Sequence, residues 1–337
     1  MSESLVSVPR RTTEDDSERR VGVEIELGAL SLDAVTDIVE KFLSELDVST
    51  ETASKGRYER EISGDDAGPW VIEFDYSYLK KLGREEHQEE WQKSAEKGLA
   101  WIAESVVPVE IVSPPLPLSR LEQVETLIEH LRKAGARGSS DSLAYAFGMQ
   151  LNPEVPDTQA QTITRYLQSF LCCYDWLLKR IAPDISRRIS SFIDPFPSKY
   201  LDKVLDPDYA PSLEQLMDDY LADNPTRNRA LDMLPLFRHL DEKRVMNAVP
   251  DDLIKARPTF HYRLPGCEIH RADWGLFSVW NDWAVIEQLA ESEALLEDAL
   301  SHYQRQRKRF LSWFGKKWQT YMAEDIIPAL LEQRKKD

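Results

Sequence analysis

Five short runs alternate between apolar and polar positions. Residues two apart on a strand share a face, so each run reads as a strand with one apolar and one polar side. In Arg20–Leu27, Val21, Val23, Ile25 and Leu27 make the apolar face and Glu24 and Glu26 stand together on the other. The stretch Trp70–Ser77 sets Ile72, Phe74 and Tyr76 against Glu73, Asp75 and Ser77. Val109 and Ile111 oppose Glu110, and Phe147, Met149 and Leu151 oppose Gly148, Gln150 and Asn152. Late in the chain, Phe260, Tyr262 and Leu264 oppose Thr259, His261 and Arg263. A further extended run, Arg57–Ile62, is joined to Trp70 by Ser63–Pro69, a Gly/Asp/Pro cluster that predicts a hairpin connection.

Between these runs the apolar spacing lengthens to the helical period. Leu32, Val35, Ile38, Val39, Phe42, Leu43 and Leu46 predict a helix over Leu32–Leu46. Helices are also predicted over Arg84–Ser105, from an N-cap at Ser119 to about Ala134, over Asp157–Ile181 and over Trp274–Lys335. Several strands are joined by turns too short for a crossover helix. The expected fold is therefore α+β, with a mainly antiparallel sheet, a polar face and helices on the other face. Residues 1–19, rich in charge and hydroxyls, are expected to be a disordered lead-in. Residues 20–337 are expected to form one domain, with a helical elaboration over about 155–252.

Composition narrows the partners. The 337-residue chain is 42% hydrophobic, enough for a substantial core, and carries a formal charge of −17. That charge argues against nucleic acid and anionic membranes, which both demand basic surface. No stretch reaches the roughly 20 apolar residues of a membrane helix, and the N-terminus lacks a signal-peptide core. The three cysteines, Cys172, Cys173 and Cys267, have neither metal spacing nor an even count, so a reducing, cytoplasmic setting is expected. Trp274, Trp280, Trp283, Trp313 and Trp318 read as helix-packing residues.

The polar faces are the chemically informative feature. A wet face is ordinary in an antiparallel sheet, but Asp and Asn are poor strand formers. Adjacent glutamates also repel unless a positive group lies between them. Hard cations such as Mg²⁺ choose carboxylate oxygens.

The run RVGVEIEL (Arg20–Leu27), the strand bearing Asp75 and Ser77, and VEIVSPPL (Val109–Leu116) resemble the amidoligase family. These ligases are relatives of the glutamine synthetase and γ-glutamylcysteine ligase superfamily. FGMQLNPE (Phe147–Glu154) and RPTFHYRLP (Arg257–Pro265) follow in the expected order, and the resemblance spans roughly Arg20 to Glu287. It implies a sheet of glutamine-synthetase-like type and an ATP- and Mg²⁺-dependent ligase. The ligase would join a small-molecule or peptide carboxylate to an amine. It also implies that Glu24, Glu26 and Glu110 bind magnesium and that Arg263 meets nucleotide or acyl phosphate. Gln150, Asn152 and Arg257 fall among the cofactor-binding positions. Two departures stand out: Gln150 where the family usually has histidine, and His261 where it often has glutamate.

Such chemistry explains these residue types. A carboxylate becomes electrophilic once it carries the γ-phosphoryl group of ATP, and that transfer needs charge neutralisation by metal ions and arginine. A base for the incoming amine is also needed, with Asp75 the first candidate and Glu73 the second. Two other functions share the same residues: a binding protein that has lost turnover, and a metal-dependent hydrolase.

Overall fold

The computed structural model describes residues 4–56, 58–74, 108–139, 147–180, 193–308 and 318–333. The fold is α+β with a mostly antiparallel sheet. The chain divides into two compact units where the sequence predicts one domain. A strand-rich unit comprises Arg20–Asn152 and Leu264–Phe277; a helical unit comprises Met1–Arg19, Pro153–Arg263 and Ser278–Asp337. The predicted helix Arg84–Ser105, the residues Asp75 and Ser77 and the packing role of Trp313 lie outside the described residues.

The strand-rich unit holds β1 (Arg20–Leu27), β2 (Glu51–Ser54), β3 (Glu59–Ser63), β4 (Trp70–Phe74), β5 (Val109–Val112), β6 (Leu116–Pro117) and β7 (Met149–Pro153). Their order is β2-β3-β4-β5-β1-β7, with β6 also on β1. The β2–β3, β3–β4, β4–β5, β5–β1 and β1–β6 pairs are antiparallel. Val21, Val23, Ile25 and Leu27 are buried, as are Trp70, Ile72, Phe74, Val109 and Ile111. Helix α1 (Leu32–Glu45) packs on β3 and β4 and against α2 (Gln123–Lys133). It buries Val35, Val39, Phe42 and Leu43, and α2 buries Val124, Leu127, Ile128 and Leu131. Each such side chain contributes about 1.5–3 kcal/mol by leaving water. Ser31 caps α1 by accepting the Ala34 N–H at 3.2 Å. Ser119 does not cap α2 as expected: after Pro117 the chain first makes a 3₁₀ turn over Leu118–Arg120, and the helix begins at Gln123.

The predicted hairpin forms, with Ile62 opposite Trp70. Gly64 has φ +121°, and a Cβ there would lie 2.1 Å from the Ser49 carbonyl oxygen, so only glycine fits. Asp65 organises the loop. It accepts from the Ala67 N–H and the Trp70 indole and forms a two-pronged pair with Arg120 at 2.6 and 2.9 Å.

The helical unit holds α3 (Ala160–Arg180), α4 (Ser198–Val204), α5 (Leu213–Asp223), β8 (Leu231–Asp232), α6 (Leu234–Leu240), α7 (Glu242–Ala248) and β9 (His261–Tyr262). It continues with most of α8 (Leu276–Glu291), α9 (Glu293–Lys308), α10 (Trp318–Tyr321) and α11 (Ile327–Gln333). Its aromatic residues pack on one another: ring centroids follow at 5.2–6.3 Å from Tyr166 through Phe260, Trp283, Tyr262, Phe170, Phe196, Tyr200 and Tyr220 to Phe237. Trp280 and Trp283 are buried, in line with the packing role expected of them. The predicted strand Thr259–Leu264, bounded by Pro258 and Pro265, shrinks to a ladder of His261–Tyr262 with Leu231–Asp232. The predicted helix Trp274–Lys335 is broken at Ser292.

Within residues 4–19, where a disordered lead-in is expected, Val6, Val8 and Arg19 are packed. Val6 and Val8 are buried, the Val6 N–H donates to Asn281, and the Trp280 indole donates to the Val6 carbonyl. Arg19 is 1% exposed and ion-paired with Glu287, itself 0% exposed. All five guanidinium N–H groups have acceptors: two on Glu287 at 2.8 Å, one on the Arg10 carbonyl at 2.6 Å and two on the Glu154 carbonyl at 2.7 and 2.8 Å. Cys172, Cys173 and Cys267 are buried free thiols. Among the described residues, no helix is long and apolar enough to cross a membrane.

Candidate functional site

The register of the strand-rich unit brings separate glutamates into line. Glu26 of β1 lies opposite Glu110 of β5, Glu110 opposite Glu73 of β4, and Glu73 opposite Glu59 of β3. Directly opposed residues have Cβ atoms about 4.5–5.5 Å apart, so one face carries a cross-strand row of carboxylates. The sequence pattern identifies Glu26, Glu73 and Glu110; Glu59 was missed, because β3 shows no clean alternation.

The row meets β7 at Gly148. Its N–H donates to Glu26 Oε2 at 2.7 Å, and a Cβ there would approach the same oxygen to 3.5 Å. Glu24, two residues earlier on the same face, lies opposite Val112. Gln150 Nε2 donates to Asn152 Oδ1 at 2.7 Å, and Asn152 Nδ2 donates to Glu24 Oε1 at 2.7 Å. Gly22 permits this approach, since a Cβ there would lie 3.3 Å from Asn152 Nδ2. Gln150 and Asn152, expected at a cofactor, are thus bonded to each other and to Glu24.

Ser113 fixes the phase of the row. Its N–H donates to the Val23 carbonyl and its Oγ accepts from the Val23 N–H, both at 2.9 Å. The hydroxyl in turn donates to the Pro114 carbonyl at 2.8 Å. The Ser-Pro-Pro run after Glu110 therefore serves the fold, locking β5 against β1 in the register that aligns Glu110 with Glu26.

Arg263, Arg257 and His261 belong to the helical unit. Arg263 is 24% exposed, and its Nη2 lies 3.2 Å from Oδ2 of Asp232, which is 0% exposed. The same nitrogen is 3.5 Å from His261 Nδ1. Burial holds the His261 ring well below the ordinary histidine range, reinforced by Arg263, Arg257 and Arg227, so the ring is neutral. Burial raises the Asp232 carboxyl, opposed chiefly by Arg263. His261 thus stands among cations, in a setting that disfavours a metal ion.

Glu24, Glu26, Glu110, Gln150 and Asn152 therefore share the strand-rich unit, Arg257 and Arg263 belong to the other, and Asp75 lies outside the described residues. The donor set on the polar face is all oxygen, as Mg²⁺ requires. Among the described residues, however, no group of three or more His, Cys, Asp or Glu side chains is gathered closely enough to hold a metal ion. The row spreads its carboxylates along neighbouring strands, and Glu24 and Glu26 are drawn to Asn152 and Gly148.

No curated protein and no solved structure matches the chain. Residues 17–285 match a protein family described as "Putative amidoligase enzyme". That span takes in the carboxylate row, the Gln150–Asn152–Glu24 relay and the Arg263 cluster, and the chain belongs to the amidoligase family.

Proposed function

We propose that the protein is an ATP- and Mg²⁺-dependent ligase that forms an amide bond between a small-molecule or peptide carboxylate and an amine. The observation that carries this reading is the cross-strand row Glu73–Glu110–Glu26 on one polar face, in a chain of the amidoligase family. The sheet is read as glutamine-synthetase-like on the same grounds. In the proposed sequence a substrate carboxylate oxygen takes the γ-phosphoryl group and ADP leaves. The amine nitrogen then attacks the acyl phosphate, loses a proton and expels inorganic phosphate. Magnesium, when bound, would neutralise the phosphate oxygens. Glu24, Glu26 and Glu110 would hold it, Arg263 would meet the phosphoryl charge with Arg257 beside it in the nucleotide site, and Asp75 or Glu73 would take the amine proton. Gln150 and Asn152 would serve by orienting Glu24.

A second reading, a nucleotide-binding protein without turnover, is favoured by the neutral His261 among arginines and the amide Gln150 in place of ionisable family residues.

Melting experiments test the first reading. ATP should raise the melting temperature only with Mg²⁺ present, by about 2.7 kcal/mol of stabilisation at a hundredfold excess over Kd. Glu24→Gln and Glu110→Gln should abolish the shift without weakening the apo protein, because both relieve like-charge repulsion. An undiminished shift in both variants removes the assignment. Amine-dependent ADP release separates the ligase from the inactive binder, and ATP-independent hydrolysis would favour a hydrolase.

A further inference from the structure

We propose that Asp232 and His261 are positioning residues that hold Arg263 for a phosphate-bearing group, an inference resting on the ligase reading above. The β8–β9 ladder sets Asp232 directly opposite His261. Asp232 is itself fixed, because Oδ1 accepts the Leu234 N–H at 3.0 Å while Oδ2 lies 3.2 Å from Arg263 Nη2. The Arg263 backbone is tied to the same strand, its N–H donating to the Ala230 carbonyl at 2.9 Å. A guanidinium has no acceptor, so in the 3.5 Å contact His261 Nδ1 accepts from Arg263. One end of the guanidinium thus faces two buried acceptors, while the side chain stays 24% exposed.

Burying a carboxylate costs several kcal/mol. A pair needed only for packing would do as well with apolar residues of the same volume. Here the buried partner anchors a cation that reaches solvent. The identity of residue 261 matters for the same reason. A neutral ring orients Arg263 without adding a second anion beside Asp232, whereas a glutamate at this position would add one. Arg257 and Arg227 act electrostatically on the same ring.

The test is calorimetric titration of the full chain with MgATP. His261→Gln, which keeps a neutral acceptor, should bind within about threefold of wild type, whereas His261→Glu should bind at least about tenfold more weakly. Arg263→Lys keeps the charge without the planar fork and should lose about fivefold or more. Arg263 is partly exposed, so the lysine variant decides alone if His261→Glu does not fold. Wild-type affinity in both the Glu and Lys variants overturns the positioning role. If Arg263→Ala still weakens MgATP in that case, the ligase reading survives the loss. A wild-type protein that binds no MgATP overturns both.

Discussion

Gly22 sets the close packing of the polar face, leaving space that a side chain would crowd. Asn152, 3% exposed, fits above Gly22 and bridges Gln150 to Glu24. Asn152→Ala should leave both neighbours short of a part-buried hydrogen bond and cost about 1 kcal/mol, read by urea unfolding. An unchanged midpoint would mean the relay is not held in solution. Gly22→Ala should cost somewhat less, because the Asn152 amide can yield a few tenths of an ångström. The alternation of β1 and β5 made Glu24, Glu26 and Glu110 legible in the sequence, since period two is a local property. Their alignment was not legible. Which glutamate faces which depends on hydrogen-bond phase, and that is set by Ser113, a residue pointing to no chemistry of its own. The turn of Asn152 toward Glu24, 128 residues away, was equally hidden.

At the level of elements, the β3–β4 hairpin was readable from Gly64, Asp65, Gly68 and Pro69, and its stability has a pH signature. Burial alone would raise the Asp65 carboxyl, but Arg120, the Ala67 N–H and the Trp70 indole outweigh it and bring it down from 3.8 to about 2. A carboxyl lower in the folded state binds fewer protons there. Its contribution is therefore complete above pH 4 and is lost as pH falls toward 2. With solvent screening at the partly exposed Arg120, about 1–2 kcal/mol is at stake. Asp65→Asn should show that deficit at pH 7 and a much smaller one near pH 2, measured as unfolding free energy. A deficit of equal size at both pH values would make the loop's hydrogen bonds, not its charge, responsible. Elements made by distant pairing were less legible. The β8–β9 ladder is too short for alternation to delimit, and Pro258 and Pro265 mark only its outer limits.

For the whole molecule, the chain forms two compact units and enters the strand-rich unit more than once. No local pattern announces such a division. The same holds for the Arg19–Glu287 pair, which joins positions 268 residues apart inside the helical unit. Glu287→Ala should destabilise that unit by about 3–5 kcal/mol by stranding a buried guanidinium, seen as a lower melting temperature. Glu287→Gln, which still accepts from Arg19 and Trp283, should cost less. If the two variants melt alike, the retained acceptor does not help and the lost charge is what matters in the pair. The separation along the chain also orders events during synthesis. Ribosomes add roughly 5–20 residues per second, so Arg19 waits on the order of tens of seconds before its acceptor emerges. The lead-in cannot dock until α8 exists, whereas most strands of the other unit are complete far earlier. Nascent chains halted before α8 should therefore resist proteases within the β1 and β3–β4 strands and be cut readily around Arg10 and Arg11, so that a segment made early is among the last to fold.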